Sequence, residues 1–208
     1  MEQTGRRIGI FGGSFDPIHF GHLILAESCR ETLGLDHVLL IPTATSPLKP
    51  SGPIASNVAR LEMLSLAIAG TPGLVAEPLE LERGGISYTI DSIGALQARE
   101  PEAEYWLLVG ADSVASLDQW KEPAEILRRV KLGVVARGGF PQIDFSVPRR
   151  LLGESQSAHF SPRVVPMPIL EISSREIRRR VAAGQSIRFR TPRVVEDLIH
   201  ACGLYQQQ

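Results

Sequence analysis

The chain has 208 residues, 43% of them hydrophobic and 22% charged, with a formal net charge of −1. This is the balance of an ordinary globular domain, and it lacks the basic excess of a broad nucleic-acid surface. Its two cysteines, Cys29 and Cys202, lie far apart, which excludes a disulfide framework and fits a reducing compartment. No apolar run approaches the ~20 residues of a bilayer span, and Met1 to Ile10 holds no signal-peptide core. A cytoplasmic protein with neither a membrane nor a nucleic-acid partner is the expectation.

In chain order, Arg6 to Phe11 reads as a buried first strand. Gly12 to His22 follows as a glycine-rich turn, and a helix begins near Gly21 and is closed by Gly34. Glycines at a strand end let a ligand approach the backbone, and a helix start directs free N–H groups and a positive dipole end at it. This is an anion site. His19 and His22, three residues apart, can both face that anion. The turn matches neither G-x-G-x-x-G nor a Walker loop, and no H-E-x-x-H or cysteine cluster suggests a bound metal.

His37 to Ile41 reads as the second strand, and Thr43 to Gly52 as a loop carrying Lys49. Ser56 caps a helix whose apolar face is Val58, Leu61, Leu64 and Ile68. A third strand falls within Leu74–Leu81, and the Gly84-Gly85 turn leads to a helix from about Thr89. Tyr105 to Val109 is wholly apolar and therefore a central strand. A helix from Pro123 to Leu127, a strand from Leu132 to Ala136, a polar stretch from Gly138 to Ser161 and a strand at Val164-Val165 follow. Helices from Ser174 to Ala183 and Thr191 to Ala201 end the chain, with Pro192 in a first turn. Strands alternating with helices predict an α/β fold. We expect a doubly wound parallel sheet of five to six strands with a small C-terminal helical lobe. Residues 1–208 then form a single domain, with 138–208 as its closing part.

In such sheets ligands bind beyond the carboxyl ends of the strands. The unusual polar residues all fall there: the Gly12–His22 turn, Thr43 and Lys49, Gly110 to Ser113, Arg137, and Ile172 to Arg178. Ser173 to Glu176 has the pattern of a capping box. Arg178 lies four residues after Ser174, so hydroxyl, helix start and guanidinium can converge on a second anion. Asp112 is open to two readings, a helix N-cap or a carboxylate accepting from ribose hydroxyls. Trp120 by itself reads as a partly buried packing residue.

Gly13-Ser14-Phe15-Asp16-Pro17-Ile18-His19-Phe20-Gly21-His22 resembles the G-x-F-D-P-x-H-x-G-H signature of the nucleotidyltransferase superfamily. Ile172 to Arg178 resembles its second motif, I-S-S-T-x-I-R, with Arg175 at the Thr position. Arg60-x-x-Met63-Leu64, Ser87-Tyr88-Thr89, Gly110-x-Asp112-Ser113 through Trp120 and Gly203-Leu204-Tyr205 extend the likeness along nearly the whole chain, to the bacterial nicotinate-nucleotide adenylyltransferases. Leu48 departs from the pattern, where many members carry His. The resemblance implies a Rossmann-like fold and adenylyl transfer from ATP to nicotinate mononucleotide, with Mg²⁺ carried by the ATP phosphates, in a monomer or homodimer. It implies that His19 and His22 stabilise charge on the α-phosphoryl group. Gly12, Gly13 and the backbone N–H groups of Ser14 and Phe15 would hold phosphate. Ser173, Ser174 and Arg178 would clamp the leaving pyrophosphate, with Lys49 and Arg137 as further contacts. Gly110, Asp112 and Ser113 would serve the adenosine side, and Tyr88, Thr89 and Trp120 the pyridine ring.

Overall fold

The computed structural model describes residues 5–47, 52–137 and 143–206. Six parallel strands form one sheet among them: β1 (Arg7–Gly13), β2 (His37–Pro42), β3 (Leu74–Ala76), β4 (Glu104–Gly110), β5 (Lys131–Arg137) and β6 (Arg163–Met167), in the spatial order β3-β2-β1-β4-β5-β6. The order reverses between β1 and β4, the arrangement of a Rossmann-like doubly wound sheet. Side chains alternate between two buried faces. Val38, Leu40, Trp106 and Leu108 enter one core, and Leu39, Ile41, Tyr105, Leu107 and Val109 enter the other. A strand covered on both sides has no polar face to show, which is why β4 reads as unbroken apolar sequence.

The helices are α1 (Phe20–Leu33), α2 (Asn57–Ile68), α3 (Leu79–Arg83), α4 (Thr89–Arg99), α5 (Ala111–Ala115), α6 (Pro123–Arg129), α7 (Ser146–Ser157), α8 (Ser174–Ala182) and α9 (Arg193–Ala201). No described helix is long and apolar enough to cross a membrane. Gly34 closes α1 at φ 59, and Ser56 Oγ caps α2 by accepting from the Ala59 N–H. Helices α8 and α9 supply Ile177, Val181, Val195 and Ile199 to the core that holds Phe15, Ile18 and Met63.

Several expectations shift. The first strand runs on to Gly13, so Gly12 and Gly13 belong to β1 and not to the turn after it. The buried face of α2 is Arg60, Met63, Leu64 and Ile68, while Val58 stays exposed; the stripe is turned from the expected one. The polar stretch after residue 138 contains α7, interrupted at Gly153 with φ 71. The short helix α3 follows β3 directly. Pro192 occupies the N-cap of α9, one residue before its first turn.

The chain is drawn together at Asp16, which is only 3% exposed. Its carboxylate accepts from the backbone N–H groups of Ile54 (2.8 Å) and Ala55 (3.1 Å) and from the Tyr205 hydroxyl (2.7 Å). Arg178 donates to the Asp16 carbonyl at 2.5 Å, and its guanidinium lies 3.6 Å from the carboxylate. Beside it Arg60, fully buried, donates to the carbonyls of Ser14 and Thr43 and to Asn57 Oδ1, each at 2.7 Å. Burial lowers the Arg60 pKa and the nearby Asp16 charge opposes that. Burial first, and then the bond to Asp16, push the Tyr205 phenol up, so it stays protonated as a donor. At the amino-terminal edge of the sheet Glu104 accepts from Lys131, Trp106 and Arg7. Burial raises the Glu104 pKa, but these bonds outweigh it and hold the group below its ordinary 4.5.

Two outcomes are expected. Asp16→Asn turns an amide NH₂ toward groups that are themselves donors and should lower stability by ~2 kcal/mol or more, against ~1 for Tyr205→Phe. Urea denaturation of both variants checks this ordering. Glu104 is partly exposed, so its contribution should stay below ~1 kcal/mol. Because its folded pKa is depressed, that contribution is complete above about 4.5 and is lost as pH falls through the folded value. The stability gap between wild type and Glu104→Gln should therefore be full at pH 7 and close on acidification, measured as urea midpoints across the acid range.

Candidate active site

A cavity of about 300 Å³ opens at the carboxyl ends of β1, β2 and β4, across the point where the strand order reverses. Its wall brings together Gly12, Gly13, Ser14, Tyr88, Thr89, Gly110, Ser113 and Trp120. Tyr88 is the N-cap of α4 and Thr89 its first residue, so the free N–H groups of that helix start lie at the cavity. Trp120 follows a 3-10 turn, Leu117–Gln119, that places it on the same wall. Lys121 holds the Tyr88 ring from above, 4.7 Å from its centroid, and is itself tied to Asp91.

The two glycines that end β1 have different reasons. A Cβ at Gly12 would meet nothing within 4 Å, so this glycine leaves open space for a ligand. A Cβ at Gly13 would lie 3.1 Å from the Phe15 ring, so this one makes room for packing. Phe15 is fully buried with φ 43, its ring edge-on to Phe11 and 5.0 Å from the His22 ring. The Phe15 side chain is thus a support under the histidine and not part of the cavity wall.

His19 is the N-cap of α1, and its carbonyl accepts from the His22 N–H at 2.9 Å. The two imidazoles stack at 3.6 Å, 20° from parallel. A Cβ at Gly21 would fall 3.1 Å from the His19 ring, which explains a glycine between the histidines. Residues 190–191 brace this start: Phe20 N–H donates to the Arg190 carbonyl, and the Thr191 hydroxyl to the Ile18 carbonyl.

The second motif meets the first. Ser173 caps α8, its Oγ accepting from Glu176 N–H at 3.2 Å; the Glu176 carboxylate turns to Arg179, so only half of the capping box forms. Ser174 Oγ donates to the Pro17 carbonyl at 2.9 Å, and Arg178 reaches Asp16. In this structure the three residues expected to face a phosphate cap their own helix and grip the loop that carries the histidines. Asp112 lies exposed in the first turn of α5 and outside the cavity wall, and the N-cap there is Gly110. Arg137 is the last residue of β5, paired with Met167. Lys49 and Leu48 lie outside the described residues.

The structure adds residues that sequence reasoning passed over. Ser46, Glu80, Ser92 and Lys121 also line the cavity, beside Thr43 and Ser87, which the sequence had already marked. Ser87 Oγ accepts from the Ala44 N–H at 2.9 Å, joining the loop after β2 to the start of α4. Asp16, Arg60 and Tyr205 were visible as motif letters, but their contacts cross up to 189 positions and leave no local signal. Among the described residues no group of three or more His, Cys, Asp or Glu could hold a metal ion.

Comparison with known proteins agrees with this geometry. Residues 10–180 match the family model described as Cytidylyltransferase-like. A probable nicotinate-nucleotide adenylyltransferase of Rhodopirellula baltica is 48% identical over 204 residues, covering 98% of this chain and 95% of that protein. One from Thermus thermophilus is 41% identical over 202 residues, 96% of this chain and the whole of the other. Among solved structures, a Plasmodium falciparum nicotinic acid mononucleotide adenylyltransferase complexed with NaAD superposes with a TM-score of 0.75 at 19% identity, covering 96% and 97% of the two chains. A fold whose sheet reverses over the cavity, two histidines stacked at one helix start and full-length identities of 41–48% lead to one conclusion: the chain belongs to the nicotinate-nucleotide adenylyltransferase family.

Proposed function

We propose that the protein transfers the adenylyl group of ATP to nicotinate mononucleotide, giving nicotinate adenine dinucleotide and pyrophosphate, with the residues above in the following roles. The observation that carries this reading is the adjacency of the switch-point cavity to a loop where His19, His22, Ser174 and Arg178 meet. The Plasmodium falciparum neighbour was solved with NaAD, the product this reaction makes.

The nucleophile needs no general base. A phosphate monoester has a second pKa of about 6 and is largely dianionic at neutral pH. Catalysis is then alignment and electrostatics. The mononucleotide lies in the cavity with its pyridine ring between Trp120 and the start of α4, where backbone N–H groups receive the carboxylate. Gly12 and Gly13 let its phosphate approach the end of β1. Gly110 and Ser113 take the adenosine side, with Asp112 at its rim. His19 and His22 donate to the oxygens of the α-phosphoryl group as charge grows there. Two protonated rings so close would repel by ~4 kcal/mol at an effective dielectric of 20, which a bound polyphosphate offsets. Arg178 spends one of its donors on Asp16 and turns others to the departing pyrophosphate. Lys49 and Arg137 are assigned as further positive charge for the phosphates. Mg²⁺ would enter as part of the ATP substrate and would offset part of the triphosphate charge.

A pyrophosphate-release assay over a panel of mononucleotides tests the reaction, and nicotinate mononucleotide should be the preferred acceptor. His22→Ala should lower kcat by ~10²-fold or more while the protein stays folded, the scale of a lost charge-stabilising donor; near-normal turnover would leave the pair a structural role only. Arg178→Ala should raise the KM for ATP well above any effect on the mononucleotide, and should also lower the melting temperature because the tie to Asp16 is lost. Equal effects on both substrates would refute its assignment to the leaving group.

A further inference from the structure

A series of holds runs along the backbone that leads to the histidine pair. The carbonyls of three successive residues each accept from a side chain 157 to 173 positions later: Asp16 from Arg178 at 2.5 Å, Pro17 from Ser174 Oγ at 2.9 Å and Ile18 from Thr191 Oγ1 at 2.8 Å. A further hold is the Phe20 N–H, which donates to the Arg190 carbonyl at 3.1 Å. Arg178 and Ser174 also belong to the proposed phosphate clamp. Thr191 does not: it is 2% exposed and lies outside the wall of the switch-point cavity. The partner of its hydroxyl is the loop and not a substrate.

The last two contacts enclose one residue. The Ile18 carbonyl belongs to the peptide plane before His19, and the Phe20 N–H to the plane after it. The φ and ψ of His19, −150 and 168, are the rotations that relate those planes. Both planes are pinned to residues 190–191, so the direction of the His19 Cα–Cβ bond is fixed from outside the α1 hydrogen-bond ladder. The pinning segment is itself held. Ile187 is fully buried, the Ser186 carbonyl accepts from Arg180 Nε at 2.7 Å, and the Arg190 N–H donates to the Ile187 carbonyl at 3.1 Å. Pro192 restricts the backbone of Thr191 from the other side. From His19 the constraint passes to His22, whose ring is stacked on it at 3.6 Å. We propose that Thr191 is a positioning residue for adenylyl transfer: it holds the His19 imidazole, and the His22 ring against it, in the orientation that donates to the α-phosphoryl group. The proposal rests on the function given above and concerns the rate of that step, not which substrates enter. Without the hydroxyl the Ile18 carbonyl is buried and short of a donor, and its peptide can turn toward another partner. A misplacement of about 1 Å in a catalytic group can cost ~10²-fold in rate.

The test measures kcat and both KM values, by pyrophosphate release from ATP and nicotinate mononucleotide, in Thr191→Val alone and combined with His19→Ala. Valine keeps the shape of the side chain and removes the donor. The turnover number should fall roughly tenfold or more, while the KM for each substrate stays within about twofold of wild type. Thr191→Ser, which keeps the hydroxyl, should restore most of the lost turnover. In the His19→Ala background the valine substitution should have little further effect, because the group it positions is gone. A folded valine variant with near wild-type kcat overturns the proposal. So does a loss equally large with and without the His19 imidazole, or one that serine does not repair, since each would assign Thr191 to packing alone. If the valine variant does not fold, Thr191→Cys, whose thiol is a weaker donor, takes its place. Its kcat should then lie several-fold below that of the serine variant, and equal values would overturn the proposal. Absence of the dinucleotide product in wild type would strike the underlying function, and the proposal with it.

Discussion

Asp16 is where segments far apart in sequence become one site. The carboxylate receives two backbone N–H groups from the turn before α2 and a hydroxyl from the segment after α9, while its own carbonyl receives Arg178 from α8. Arg60 supplies the other half by holding the carbonyls on either side of the cavity mouth, Ser14 after β1 and Thr43 after β2. Burying a carboxylate and a guanidinium is expensive unless nearly every lone pair and N–H is used; most of the bonds Asp16 and Arg60 make go to backbone, while Arg60 Nε is buried without a partner among the described residues. The result is a loop of fixed shape under the histidines. Preorganisation of this kind lets donors act on developing charge without rearranging first.

Around that loop the parallel sheet does the placing. Reversal of strand order between β1 and β4 leaves a crevice that no crossover helix covers, and the polar ends of β1, β2 and β4 face it. The aromatic packing beneath sets which residues stand there. Phe15 fills the space a side chain at residue 13 would need and gives its edge to His22, and Gly21 leaves room for His19. Three positions of the first motif are thus small or aromatic because of one another, independent of any ligand.

Much of this was legible in the sequence, and the gaps have a common cause. Alternating runs gave the parallel sheet, and the match over residues 13–22 located the loop. Periodicity reports the repeat of an element but fixes its phase poorly, so the buried face of α2 was expected at Val58 and Leu61 and lies at Arg60 and Met63. A buried arginine contradicts the hydrophobic pattern that such reading depends on. Helix α3 spans five residues, too short to display a period, and α7 is masked by polar sequence and broken at Gly153. Ser174 and Arg178 were correctly placed on one helix face, but what that face touches is a tertiary fact, and it is the Asp16–Pro17 backbone.

The bond from Tyr205 to Asp16 also bears on the order in which the protein can be completed. Chains emerge from synthesis amino-terminal end first, and contacts between distant positions form late because the intervening chain must be closed into a loop. The histidine loop is made before the segment after α9, yet one of its hydroxyl donors lies in that segment, 189 positions later. A nascent chain can therefore assemble β1, β2 and β4 and still hold the carboxylate of residue 16 short of a partner. Competence arrives with the last turn after α9, so a partly synthesised or clipped chain carries the motif without the finished loop.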